Sequence, residues 1–171
     1  RLADQGAACI ELVTPTHFTH VLAKVLERPV PGGLPVVWNS GGYERRPALR
    51  TLEGRIDVYL PDLKYLTPAL AKKYSGAADY PEAAQAAILE MYRQRGPARI
   101  EGGLLKSGVL IRHLILPGHV GEAKRVMDWV AEAFPPGAVL FSLMAQYTPV
   151  GPPDGFPELG RPLRPSELRA A

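Results

Sequence analysis

Short apolar runs alternate along this chain with stretches whose apolar residues recur at helical spacing. Ala7 to Val13 is such a run, and it ends at Thr14-Pro15; Phe18, Val21, Leu22, Val25 and Leu26 then repeat every three or four residues, the pattern of one buried helix face. Thr14 reads as an N-cap with proline in the first helical position, so a strand hands over directly to a helix. Pro35 to Trp38 forms the second strand, followed by the turn residues Asn39-Ser40-Gly41-Gly42-Tyr43 and a short helix over Pro47 to Glu53. Ile56, Val58 and Leu60 alternate with more polar residues in a third strand. Thr67-Pro68 repeats the cap device before a helix that runs to Tyr74, and a longer helix opening at Pro81 lays Ala84, Ala87, Ile88 and Met91 on one face. The glycines between Ala98 and Gly108 predict an irregular hairpin. Val109 to Leu116 is apolar except for Arg112-His113, as in a strand buried on both faces, so those two polar residues need a partner or a ligand. A helix over Glu122 to Phe134 and a strand over Ala138 to Met144 complete the pattern, leading to Gln146-Tyr147.

Strands separated by helices predict an α/β fold with a parallel sheet and right-handed crossovers, as part of a partial barrel or an open sheet. The carboxyl ends of parallel strands form the ligand-binding rim in both architectures. His17, Asn39, Asp62, Lys64, Arg112 and Gln146 all fall at such ends. Asp62 and Lys64 stand two apart on an extended segment and therefore share a face. A solvated ion pair entering a loop accounts for the same two residues when they are taken alone. Beyond Thr148 the chain is rich in proline and glycine before a helical start at Pro165, which divides it into a core over 1–150 and an extension over 151–171.

Composition narrows the function. The 171 residues are 46% apolar and 22% charged, as expected of a globular chain, and the net charge of +3 comes from cations scattered among acids. That balance predicts no nucleic-acid partner, and a modest anionic ligand would suffice to explain it. Cys9 is the single cysteine, so no internal disulfide forms and the expected compartment is the cytoplasm. No apolar run approaches the roughly 20 residues that span a bilayer. Walker A, G-x-G-x-x-G and C-x-x-C motifs are missing, which removes the commonest nucleotide and zinc readings. His17 and His20 are three apart, but the local sequence supplies no further metal ligands. Lys64 offers a different chemistry, a Schiff base at a barrel strand end, provided burial lowers its pKa.

Taken together, Thr14-Pro15-Thr16-His17, Asn39-Ser40-Gly41-Gly42-Tyr43, Leu60-Pro61-Asp62-Leu63-Lys64-Tyr65, Leu110-Ile111-Arg112-His113-Leu114-Ile115-Leu116-Pro117-Gly118 and Leu143-Met144-Ala145-Gln146-Tyr147 resemble the radical S-adenosylmethionine (SAM) proteins. The closer resemblance is to the pyruvate formate-lyase activating enzyme-like iron–sulfur branch. It implies a parallel-sheet partial TIM barrel of the (β/α)6 type, a [4Fe–4S] cluster, and reductive cleavage of SAM to a 5′-deoxyadenosyl radical by an oxidoreductase. By motif match it implies SAM contacts from Thr16, His17, Asn39, Ser40, Asp62, Lys64, Arg112 and Gln146. Thr14 to His17 stands in place of the family's Gly-Gly-Glu strand end, and Gln146 stands where the activating enzymes carry histidine. The implied partners are a glycyl radical enzyme-like protein or a small molecule as substrate, and flavodoxin or ferredoxin as electron donor.

One family element is missing. The C-x3-C-x2-C loop that ligates the cluster does not occur in these residues, and Cys9 cannot replace three thiolates. The chain therefore reads as a fragment that lacks the N-terminal βα unit and the cluster loop, with radical chemistry belonging to a full-length parent. A truncated, non-catalytic SAM-binding or scaffold domain is the alternative, beside the Lys64 Schiff-base enzyme.

Overall fold

The computed structural model describes residues 3–150 and 155–171. Among them β1 (Ile10–Val13), β2 (Val36–Ser40), β3 (Val58–Pro61), β4 (Arg99–Glu101), β5 (Leu104–Leu114) and β6 (Leu140–Met144) form one six-stranded sheet. The order runs β1-β2-β3-β5, and both β4 and β6 pair with β5. Only the β4–β5 pairing is antiparallel. The chain is thus an α/β fold on a mostly parallel mixed sheet, as the alternation of patterns predicts. The helices are α1 (Thr19–Val25), α2 (Arg46–Arg50), α3 (Pro68–Ser75), α4 (Tyr80–Arg95), α5 (Val120–Ala133) and α6 (Pro165–Ala170). None of them is long and apolar enough to cross a membrane.

Strand register sorts the side chains into two faces. Trp38, Tyr59 and Val109 are cross-strand neighbours on one face, where they join Leu49, Ile88 and Met91 of the helices in the core. Asn39 and Leu60 are neighbours on the other face. Val37, Val58, Leu60 and Leu110 line a hollow of about 230 Å³ there, beside Leu105 and the segment that enters β1. Parallel strands laid down in sequence order keep their helices on one side when all crossovers share one hand. The second face is thereby left to strand residues and loops.

Three local expectations are corrected. Thr14 does not cap a helix: it is left-handed (φ 52), its side chain caps nothing, and its N–H donates to Asn39 O at 2.8 Å. A 3-10 turn over Pro15–Phe18 separates it from α1. At about three residues per turn, that segment resets the helical phase. The face of α1 turned to the protein is accordingly Thr19, Leu22, Ala23 and Leu26, and Phe18, Val21 and Val25 are exposed rather than buried. Among the described residues β1 is an edge strand, and α1, which follows it, packs against α2. The third correction is at Thr67, whose side chain caps nothing either. The predicted hairpin is present as β4 and β5, turned by Gly102 and Gly103 at φ 57 and 77, the left-handed pair that a two-residue hairpin loop requires.

His113, the polar residue inside the apolar run of β5, finds its partner in the protein. It is buried, and its Nδ1–H donates to the Leu63 carbonyl at 2.7 Å. Burial holds its pKa below the ordinary 6.5, with the Leu63 bond opposing that shift. Below pH 6.5 the unfolded chain therefore takes up a proton that the folded chain refuses. Stability is expected to fall as pH drops through and below 6.5, by at most about 1.4 kcal/mol per unit. Urea melts across this window check it: His113→Asn should flatten the slope, and an unchanged slope would place the titration elsewhere.

The described part of the C-terminal extension folds back on the core. The Glu158 carboxylate accepts from Tyr74 Oη at 2.6 Å and pairs with Lys73, while Phe156 packs edge-on against Tyr74. Lys73 holds the Glu158 carboxyl down to about 2. Glu167 accepts the Gly118 N–H at 2.7 Å at the turn into α5. The boundary expected at 150/151 adjoins 151–154, which lie outside the described residues.

Candidate functional site

The strand ends on the second face carry a chain of polar contacts. Glu11 of β1 accepts from Asn39 Nδ2 at 2.6 Å, and Asn39 Oδ1 accepts from Arg112 Nη2 at 2.6 Å. The same guanidinium nitrogen lies 2.8 Å from Asp62 Oδ1, and Asp62 Oδ2 lies 3.3 Å from Lys64 Nζ. Asn39 is neighbour to Leu60 on β3, and Asp62 bridges to Arg112 one step beyond β3. The Arg112 side chain therefore reaches across β3 to a residue two strands away. Both ends of the Asn39 amide are fixed by charge, since its N–H faces a carboxylate and its oxygen faces a guanidinium.

This arrangement is partly buried and partly open. Asp62 and Arg112 keep 22% and 24% of their side-chain exposure, whereas Lys64 keeps 47% and makes one ion pair. An ammonium has three donors, so Lys64 retains capacity for a ligand. Arg112 Nε is buried with no partner among the described residues. The loop that presents Lys64 is tied down by a tyrosine. Tyr80 Oη accepts from the Lys64 N–H at 3.0 Å and lies 2.9 Å from Gly41 O and 2.8 Å from Asp62 O, positioned to donate to either carbonyl. Burial raises the Tyr80 pKa far above its usual range, so the hydroxyl keeps its proton as a donor.

Four of the eight predicted residues, Asn39, Asp62, Lys64 and Arg112, thus meet in one network. The other four stand apart. Ser40 is buried on the helix side of β2, where its hydroxyl donates to Glu44 Oε2 at 2.8 Å. Thr16 donates to Glu44 Oε1 at 3.1 Å, and the Trp38 indole N–H reaches the same oxygen at 2.7 Å. Burial raises the Glu44 pKa, with these three hydrogen bonds opposing the rise. Strand alternation gives the reason for Ser40, because the residue after Asn39 must face the other way. His17 is exposed on the 3-10 turn beside Phe18, and Gln146 is exposed beyond β6. Neither makes a hydrogen bond to the network among the described residues.

Glu11 joins the site without having been predicted. It sits on the same face of β1 as Val13, and its register partner Val37 shares Asn39's face of β2. The signal in the sequence is an acid at an alternating position inside an otherwise apolar strand.

No family model matches the chain. It is 26% identical over 139 residues to an uncharacterized protein, MJ0674, of Methanocaldococcus jannaschii. The match takes in 81% of this chain and 37% of that protein, and the name assigns no activity.

Proposed function

We propose that this network is the strand-end site of a radical SAM protein, on part of a (β/α)6 barrel whose remaining elements lie outside these 171 residues. The observation that carries the reading is the unbroken run Glu11–Asn39–Arg112–Asp62–Lys64 across the carboxyl ends of β1, β2, β3 and β5. Its charges suit the amino-acid end of SAM: Lys64 and Arg112 suit a carboxylate, and Asp62 and Glu11 suit an ammonium. The apolar hollow beside it would shelter the rest of the ligand. Bound SAM supplies a sulfonium whose carbon–sulfur bond can be cleaved. These residues bind and orient it.

A [4Fe–4S] cluster held by three thiolates does not fit the residues present. Cys9 is the single cysteine and is exposed. No group of three or more His, Cys, Asp or Glu among the described residues is placed to hold a metal ion. In this proposal the thiolates belong to the parent protein, and the electron donor and the substrate are its partners. A Schiff base at Lys64 is less well supported, because that chemistry needs a desolvated amine and Lys64 is half-exposed beside a carboxylate.

The test is calorimetric titration of the chain with SAM. One or two charge-assisted hydrogen bonds at about 1.5–3 kcal/mol each correspond to a dissociation constant from roughly tens of micromolar to tens of millimolar. Lys64→Ala should weaken binding by about tenfold or more, and exposed Lys72→Ala should leave it unchanged. Absence of binding, or equal loss from both substitutions, would remove the site from these residues.

A further inference from the structure

A second cleft, of about 820 Å³, opens on the helix side of the sheet between α1 and α2, away from the strand-end network. Lys24, Arg45, Arg50 and Arg55 line it against only Glu27 and Glu44. These charges are not equally available. Arg55 pairs with Glu27 at 3.5 Å, and Arg50 pairs with Glu90 of α4 at 3.6 Å. The Glu44 oxygens accept from Thr16, Trp38 and Ser40. Lys24 and Arg45 remain, in no ion pair or side-chain hydrogen bond among the described residues. Ala23, Ala48 and Leu49 supply an apolar wall between them.

Two free cations beside an apolar wall, in a cleft of the size that small-molecule sites occupy, form a pattern with a specific complement. We propose that this cleft binds a small organic anion, its phosphate or carboxylate group held by Lys24 and Arg45 and its apolar body seated on Ala23, Ala48 and Leu49. The volume far exceeds that of a bare inorganic ion, so the apolar body is part of the recognition. The site does not depend on the SAM reading, and the two can fail separately.

Trp38 provides the readout. Its indole N–H donates to Glu44 in the wall of the cleft, whereas the other tryptophan, Trp129, lies on α5. A two-dimensional NMR titration with phenyl phosphate should shift the Trp38 indole resonance saturably and leave that of Trp129 in place. Lys24 and Arg45 are exposed, so the doubly substituted Lys24→Ala, Arg45→Ala chain should keep its folded spectrum and lose at least tenfold in affinity. Exposed Lys124→Ala on α5 should bind as the parent does. Inorganic phosphate should bind at least tenfold more weakly than phenyl phosphate. The proposal is overturned if Trp38 shows no saturable shift, if Lys124→Ala weakens binding as much as the double substitution, or if inorganic phosphate binds equally well.

Discussion

Gly42→Ala should lower the melting temperature by on the order of 6–12 °C and, together with it, abolish the SAM binding proposed for the strand-end network. Gly42 has φ 77, and a Cβ built on it would lie 2.2 Å from the Asp62 carbonyl oxygen. That neighbour is backbone in a packed turn, so it cannot rotate away. The positive φ alone costs an L-residue about 1–2 kcal/mol. Displacing Asp62 adds to this, because its carbonyl and the Lys64 N–H are both held by Tyr80 Oη. A total of at least about 3 kcal/mol gives the stated shift for a chain of this size, at about 2–4 °C per kcal/mol. Gly76→Ala separates the two causes: φ there is 68, but nothing lies within 4 Å of the added carbon, so only the conformational cost applies. Thermal melts of the two variants are the measurement. Equal losses would mean that Gly42 matters for its backbone angle and not for the contact with Asp62.

The network was legible in the sequence wherever spacing alone decides direction. Asp62 and Lys64 share a face because they stand two apart on extended backbone, and Arg112 announced itself as a charge inside an apolar run. What sequence could not supply is which residues meet across strands. Glu11 and Asn39 are 28 positions apart, and their contact exists because β1 and β2 pair in a particular register. Ser40 and Thr16 have the residue types expected of a site, yet alternation and the 3-10 turn direct both to Glu44. The misjudged face of α1 has the same origin. A helical period fixes which residues lie together but not which side meets the sheet, and one 3-10 turn ahead of the helix was enough to change it.

The least legible element is Glu122. A glutamate in the first turn of a helix reads as a solvated partner of the helix dipole. Here it is 6% exposed, and its carboxylate takes the Thr67 N–H at 2.7 Å, the Thr67 hydroxyl at 2.6 Å and the Leu66 N–H as well. Thr67-Pro68 thus marks the start of α3 as its sequence suggests, but Thr67 donates to α5 and does not cap its own helix. Glu122 pins the loop that carries Lys64, so its loss should reach the site as well as the fold. Glu122→Ala leaves two backbone donors without an acceptor, at about 1–3 kcal/mol each in a buried setting; partial hydration of the resulting gap brings the expected loss to about 2–4 kcal/mol. Glu122→Gln should cost less, because the amide oxygen can still accept from the Leu66 and Thr67 N–H groups while its NH2 donates to the Thr67 hydroxyl oxygen, which can turn to accept. Glu132→Ala, exposed on the same helix, should stay within about 0.5 kcal/mol of the parent. Urea denaturation midpoints give the three values, and amide exchange at Thr67 should lose its protection in Glu122→Ala alone. If Glu122→Ala and Glu132→Ala are equally mild, Leu66 and Thr67 must find other acceptors, and the loop bearing Lys64 is held by Tyr80 without help from α5.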